Sequence, residues 1–124
     1  MRYQSKQYVR WDDLDAFGHV NNAKYLTYAQ EARFAWSGIL EMVVARAEVD
    51  FIAPIYDGDS YLDIELWVSA IGTTSFTMTY EIKLKSELVA RVKTVQVTVD
   101  MDTKKSRPIA DEQREFLTKY LEIN

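Results

Sequence analysis

Residues 75–84 read S-F-T-M-T-Y-E-I-K-L, with Phe76, Met78, Tyr80, Ile82 and Leu84 on one face and Ser75, Thr77, Thr79, Glu81 and Lys83 on the other. A period of two fits a strand with one buried face and does not fit a helix. This alternation constrains the fold most, because most of the chain shares it. Residues 61–68 set Leu62, Ile64, Leu66 and Val68 against Tyr61, Asp63, Glu65 and Trp67. In residues 42–53, Val43, Ala45, Ala47, Val49 and Phe51 alternate with Arg46, Glu48 and Asp50. Residues 3–11, with Tyr3, Val9 and Trp11 among polar neighbours, predict a first strand. The segment 88–101 changes phase: Leu88, Ala90 and Val92 follow one alternation, Val95, Val97 and Val99 the other. A bulge near Lys93 or burial of both faces accounts for that.

Only one long segment departs from this period. From about Asn22 to Trp36, apolar residues recur every three to four positions (Ala23, Leu26, Ala29, Ala32 or Arg33, Trp36), which predicts a helix. Asn21 or Asn22 supplies the N-cap and Gly38 the stop. Ala29, Ala32 and Ala35 keep one side slim enough for a sheet to approach. Breaks fall at Pro54, at 57–59, at Gly72 and at Ser86-Glu87, and a short terminal helix is expected over 111–121 with Phe116, Leu117 and Tyr120 as its contacts. Strands joined by short connections pair antiparallel. The expected class is therefore α+β: a curved antiparallel sheet wrapped around one long central helix, as a single domain over 1–124. Exposed edge strands in so small a unit favour sheet-edge pairing between copies.

Composition narrows the chemistry. With 48% hydrophobic residues the chain can build a core. It has no cysteine, which removes disulfides, thiolate nucleophiles and cysteine-bound zinc, and its single histidine removes a multi-histidine metal site within one chain. A carboxylate-only Mg²⁺ or Ca²⁺ site stays open, although EF-hand spacing is missing. A formal charge of −4 argues against a broad basic surface for nucleic acid. No apolar run approaches the ~20 residues that span a membrane. The start MRYQSKQYVRW has no apolar signal core, so a cytoplasmic location is expected. There is no G-x-S-x-G elbow and no phosphate-cradling glycine motif.

Reactive and turn-forming groups concentrate in residues 10–33, RWDDLDAFGHVNNAKYLTYAQEAR. Asp13 and Asp15 precede Gly18, the sole histidine His19 and the pair Asn21-Asn22, directly ahead of the helix. On spacing alone an aspartate here is more often a turn or cap residue, and aromatic residues at helical spacing are more often core. Backbone N–H groups at the helix start are unpaired donors that suit a developing negative charge.

The stretch D-L-D-A-F-G-H-V-N-N-A-K-Y, residues 13–25, resembles the signature D-x-D-x-x-G-H-V-N-N-x-x-Y of hotdog-fold acyl thioesterases of the 4-hydroxybenzoyl-CoA thioesterase type. It is also similar to the D-L-D-x-x-x-H-V-N-N-x-x-Y segment of plant acyl-ACP thioesterases. P-I-Y-D-G-D at 54–59 extends a weaker similarity. The resemblance implies a hotdog fold, a homodimer or homotetramer with sites at the subunit interface, and hydrolysis of an acyl-CoA or acyl-ACP thioester without metal or organic cofactor. It makes Asp15 the catalytic carboxylate, as general base or nucleophile, and the amide at Asn22 the oxyanion donor. His19 is left to polarise the carbonyl, orient water or bond within the loop.

Substrate contacts are expected from Phe17, Gly18, Tyr25, Thr73 and Thr74. Phe17 stands where plant-type enzymes place an asparagine, which removes the polar partner of an Asp–Asn–His arrangement. Likewise 71–74 reads I-G-T-T where some aromatic acyl-CoA thioesterases carry a basic cluster; Arg91, Lys93, Lys104 or Lys105 are the candidate replacements. Two other readings keep the fold: a non-catalytic acyl-CoA-binding module, and a hydratase or dehydratase.

Overall fold

The computed structural model describes residues 1–39 and 41–123. Strand β1 (Tyr3–Val9) leads through a single 3-10 turn (Trp11–Asp13) and a loop into helix α1 (Lys24–Trp36). Strands β2 (Met42–Phe51), β3 (Ser60–Ile71), β4 (Ser75–Leu84) and β5 (Glu87–Thr98) follow, and helix α2 (Asp111–Lys119) closes the series. The strands form one antiparallel sheet in the order β1-β3-β4-β5-β2. Because β2 lies beside β5 and not beside β3, the connection 52–59 must cross the end of the sheet. There Ile55 O accepts the Val20 N–H at 2.7 Å, which docks the loop before α1 onto that crossing.

The inner face of the sheet carries the core. Leu62, Ile64, Leu66 and Val68 of β3, and Phe76, Met78, Tyr80 and Ile82 of β4, are all buried as the alternation predicts. Each of the large aliphatic side chains contributes ~1.5–3 kcal/mol by leaving water. Helix α1 turns Tyr25, Tyr28, Ala29, Ala32, Arg33 and Trp36 into this face. Helix α2 packs Phe116 and Tyr120 against Trp36, with ring centroids 5.2 and 5.4 Å away.

Several boundaries differ from expectation. Trp11 leaves β1 for the 3-10 turn, and α1 starts at Lys24 rather than at Asn22. The N-cap is Ala23 and not Asn21 or Asn22, with no side-chain cap; Asn21 instead braces the turn ahead of the helix, its Oδ1 accepting the Ala23 N–H at 3.0 Å. Between β4 and β5 the turn is Lys85-Ser86, one residue earlier than expected, with both residues at positive φ.

In β2 the register shifts between Val44 and Arg46, so Val43 falls opposite Val97 while Ala47, Val49 and Phe51 fall opposite Thr94, Val92 and Ala90. β5 has no break at Lys93: one phase, Ala90, Val92, Thr94, Gln96 and Thr98, is buried throughout. The apparent change of phase arises because the second half of that buried face is polar. A hydrogen-bonded chain satisfies it. Arg33 of α1 donates to the Tyr80 hydroxyl at 3.0 Å, Tyr80 to Thr94 at 2.8 Å, Thr94 to Gln96, and Gln96 to the Phe76 carbonyl at 3.1 Å.

Candidate active site

The loop between the 3-10 turn and α1 is a narrow hairpin. Leu14 bridges Val20, the Asp15 N–H donates to His19 O at 2.8 Å, and the Gly18 N–H donates to Asp15 O at 3.0 Å. Gly18 sits at φ +84°, a left-handed conformation that costs other residues ~1–2 kcal/mol. A Cβ there would touch nothing in the chain, so the glycine is needed for its backbone angle rather than for close packing.

Asp15 is half-buried within this hairpin. Its Oδ1 accepts the Phe17 N–H at 2.9 Å, and its Oδ2 lies 3.3 Å from His19 Nδ1. Nδ1 is also 3.3 Å from Val20 O. Both neighbours are acceptors, so the proton belongs on Nδ1 and Nε2 is left as the free nitrogen. Phe17 stacks on the imidazole from the outside, 83% exposed, with centroids 6.2 Å apart. Tyr56, from the crossing 52–59, meets the same ring edge-on at 6.2 Å.

Beside His19 opens a cleft of about 260 Å3, bounded by Val20, Asn22 and Tyr25 on one side and by Phe51, Ile52 and Pro54 on the other. Tyr25 forms its wall and packs edge-on to Phe51 at 5.1 Å; burial pushes the Tyr25 phenol up. At the helix start, Asn21 takes two amides: its side chain bonds Ala23 N–H and its carbonyl bonds Lys24 N–H at 2.9 Å. The Asn22 N–H has no acceptor among the described residues. His19, whose Nδ1 lies 3.3 Å from the Asp15 carboxylate, and the helix-start residue Asn22 thus line one cleft. That pairing suits proton transfer at a carbonyl whose oxygen becomes negative.

A family model described as the thioesterase-like superfamily matches residues 9–117. The chain belongs to the thioesterase-like superfamily. Among its relatives, the 1,4-dihydroxy-2-naphthoyl-CoA hydrolase of Rippkaea orientalis is 30% identical over 88% of this chain and 90% of its own. The long-chain acyl-CoA thioesterase FadM of Escherichia coli is 29% identical over 92% and 96%. A thioesterase of Thermus thermophilus, solved with coenzyme A and Zn, superposes with a TM-score of 0.86 at 28% identity, covering 94% of this chain and 92% of that one. The sheet around α1 is the superfamily's hotdog fold, and membership makes the chain a thioester hydrolase.

Against this thioesterase frame, the structure brings Asp15, Phe17, Gly18, His19, Asn22 and Tyr25 together at one end of the sheet. It does not bring Thr73 and Thr74 there. They lie in the β3–β4 turn at the opposite end, where Thr74 O accepts the Thr98 N–H at 2.9 Å. A cation from α2 does stand at that turn: Arg114 donates to Gly72 O at 2.9 Å and to Thr73 O at 3.4 Å, and Arg107 donates to Pro108 O. Sequence reasoning chose other cations. Arg91 instead pairs with Glu81 at 2.7 Å and, with Lys93, lines a separate hollow of about 650 Å3 over the outer face of the sheet. Also missed were Phe51, Ile52 and Tyr56, because only the crossing 52–59 brings them to the loop. Among the described residues no cluster of three His, Asp or Glu side chains could hold a metal ion, and no helix is long and apolar enough to cross a membrane.

Proposed function

We propose that the chain hydrolyses acyl-CoA thioesters, with Asp15 as general base and the Asn22 N–H as oxyanion donor. The observation that carries this is that His19, 3.3 Å from the half-buried Asp15 carboxylate, lines the same cleft as Asn22, whose N–H is left free at the head of α1. One Asp15 oxygen accepts the Phe17 N–H and the other lies 3.3 Å from His19 Nδ1, an anchored carboxylate that suits taking a proton from water. Asp15 removes the proton as the water oxygen bonds to the thioester carbon. The carbonyl oxygen gains charge facing the Asn22 N–H; collapse breaks the C–S bond, and the proton returns to the thiolate. His19 Nδ1 stands 3.3 Å from the second Asp15 oxygen and steadies it. Phe17 and Tyr25 flank the acyl group.

The working unit is a homodimer paired through β2. Among the described residues this edge strand is almost wholly exposed, and Val43, Val44 and Phe51, with Ile52 just beyond, show 43–53% of their surface. Such an edge in a lone chain invites pairing. β2 runs from Met42, opposite Thr98 near the 72–74 turn, to Phe51 at the cleft. An antiparallel pair of β2 strands therefore sets Phe51 of one copy beside Met42 of the other. It carries the second copy's Thr73, Thr74 and Arg114 toward the cleft, where a coenzyme A phosphate meets an arginine.

The relatives act on a hydroxylated aromatic acyl-CoA in one case and a long-chain acyl-CoA in the other. A cleft walled by Tyr25, Phe51 and Ile52 suits an apolar or aromatic acyl group. A thiol-release assay over short, long and aromatic acyl-CoAs tests the reading. The expected result is thiol release, fastest for an apolar or aromatic acyl group. Tight acyl-CoA binding without release would point to a binding module, and hydration of an enoyl-CoA without release to a hydratase.

A further inference from the structure

The hairpin that carries Asp15 is mostly exposed, and its tip residues Phe17 and Gly18 pack against little. Its own two cross-bonds do not fix where it stands relative to α1. Asp13, two residues earlier, does. Asp13 is only 6% exposed, and its Oδ2 accepts the Tyr28 hydroxyl at 2.7 Å and the Arg10 N–H at 3.0 Å. The Lys24 ammonium lies 3.7 Å from Oδ1. The main chain of the same residue works too: Asp13 O accepts the Asn21 N–H at 2.9 Å.

These bonds tie both ends of the hairpin to one helix. The entry is held through the side chain to Tyr28, in the second turn of α1, and the exit through the carbonyl to Asn21. Asn21 in turn bonds Ala23 and Lys24, which fixes the peptide that ends in the free Asn22 N–H. A buried carboxylate is costly unless well bonded, and an apolar anchor would serve packing alone. What Asp13 adds is a fixed distance between the Asp15 carboxylate and the Asn22 amide.

We propose that Asp13 is a positioning residue, acting through Tyr28 and Asn21 to set the Asp15 carboxylate and the Asn22 amide relative to each other. Its kinetic consequence rests on the thioesterase reading. Misplacing reacting groups by ~1 Å can cost ~100-fold in rate while substrate binding survives. Tyr28 is suited to the role because burial, and then the bond to Asp13, hold its phenol far above the ordinary range, so it stays a donor at any working pH.

The test compares wild type, Asp13→Asn and Tyr28→Phe by steady-state thiol release and by backbone hydrogen exchange. The expected result is a kcat lower by ~10- to 100-fold with KM within about twofold. Exchange should be faster at the Asp15, Val20 and Asn21 amides and unchanged in β4. A raised KM with unchanged kcat, or exchange rising equally in β4 and the hairpin, overturns the proposal. Should wild type release no thiol from any acyl-CoA, the thioesterase reading fails by itself. Exchange then still decides: faster hairpin amides in Asp13→Asn support the clamp, and unchanged ones overturn it.

Discussion

Arg2 shows how much one side chain can hold. It lies over the Trp67 ring at 3.7 Å, grips Glu122 with two bonds of 2.7 and 2.9 Å, and reaches Glu65 at 3.0 Å. It thereby pins the segment after α2 to the outer face of β3. The bond from Arg2 is the main reason the Glu65 and Glu122 carboxyls sit below the usual carboxylate range. A carboxyl depressed in the folded state stabilises the fold above its unfolded value, about pH 4.3, and that contribution is lost as pH falls through the folded value. Arg2→Gln should therefore flatten the loss of thermal stability between pH 5 and pH 3 relative to wild type. An identical acid limb in both proteins would show that the cluster contributes nothing to it. Trp67 also marks where residue-level reading stops. Its side of β3 reads as the solvent face, yet it is buried, because a residue 65 positions earlier lies on top of it.

At the level of elements, β3 and β4 were legible because each buries one complete alternation. β2 and β5 were not, for opposite reasons. β2 is an edge whose register slips at Ala45, so no single phase describes it; β5 is an interior strand between β4 and β2, but closes its core face with Thr94, Gln96 and Thr98. Thr94 and Gln96 join a chain of bonds that starts at Arg33, and Thr98 bonds Thr74 O and Arg107 O; no periodicity links these partners to β5. The candidate site divides the same way. Asp15, Gly18, His19 and Asn22 are legible because they are local to one stretch. The work of Asp13, Asn21 and Tyr28 depends on where a hairpin folds back onto a helix. The β4–β5 turn is an element built against preference, with Lys85 at φ 50° and Ser86 at φ 70°. Positive φ at both positions is the type I′ two-residue loop, and Asn-Gly supplies it with little strain. Lys85→Asn with Ser86→Gly should raise stability to unfolding by ~1–2 kcal/mol. A decrease in the urea midpoint would contradict the turn assignment.

For the whole molecule, one chain holds Asp15 and the free Asn22 amide at one end of the sheet, and the Arg114-braced turn at the other. The proposed pairing through β2 would unite them. Val43→Asp with Val44→Lys, on an exposed edge, should convert a dimer to a monomer in sedimentation and weaken acyl-CoA binding, while circular dichroism stays that of the folded chain. Undiminished dimerisation would locate the interface elsewhere. Whether Asp15 takes the proton in thioester hydrolysis is decided by thiol release from Asp15→Asn on the best acyl-CoA found for wild type. Asparagine keeps the shape of the side chain and loses the base. The expected kcat is at least ~100-fold lower with acyl-CoA binding retained, and an unchanged kcat would show that Asp15 is not the base.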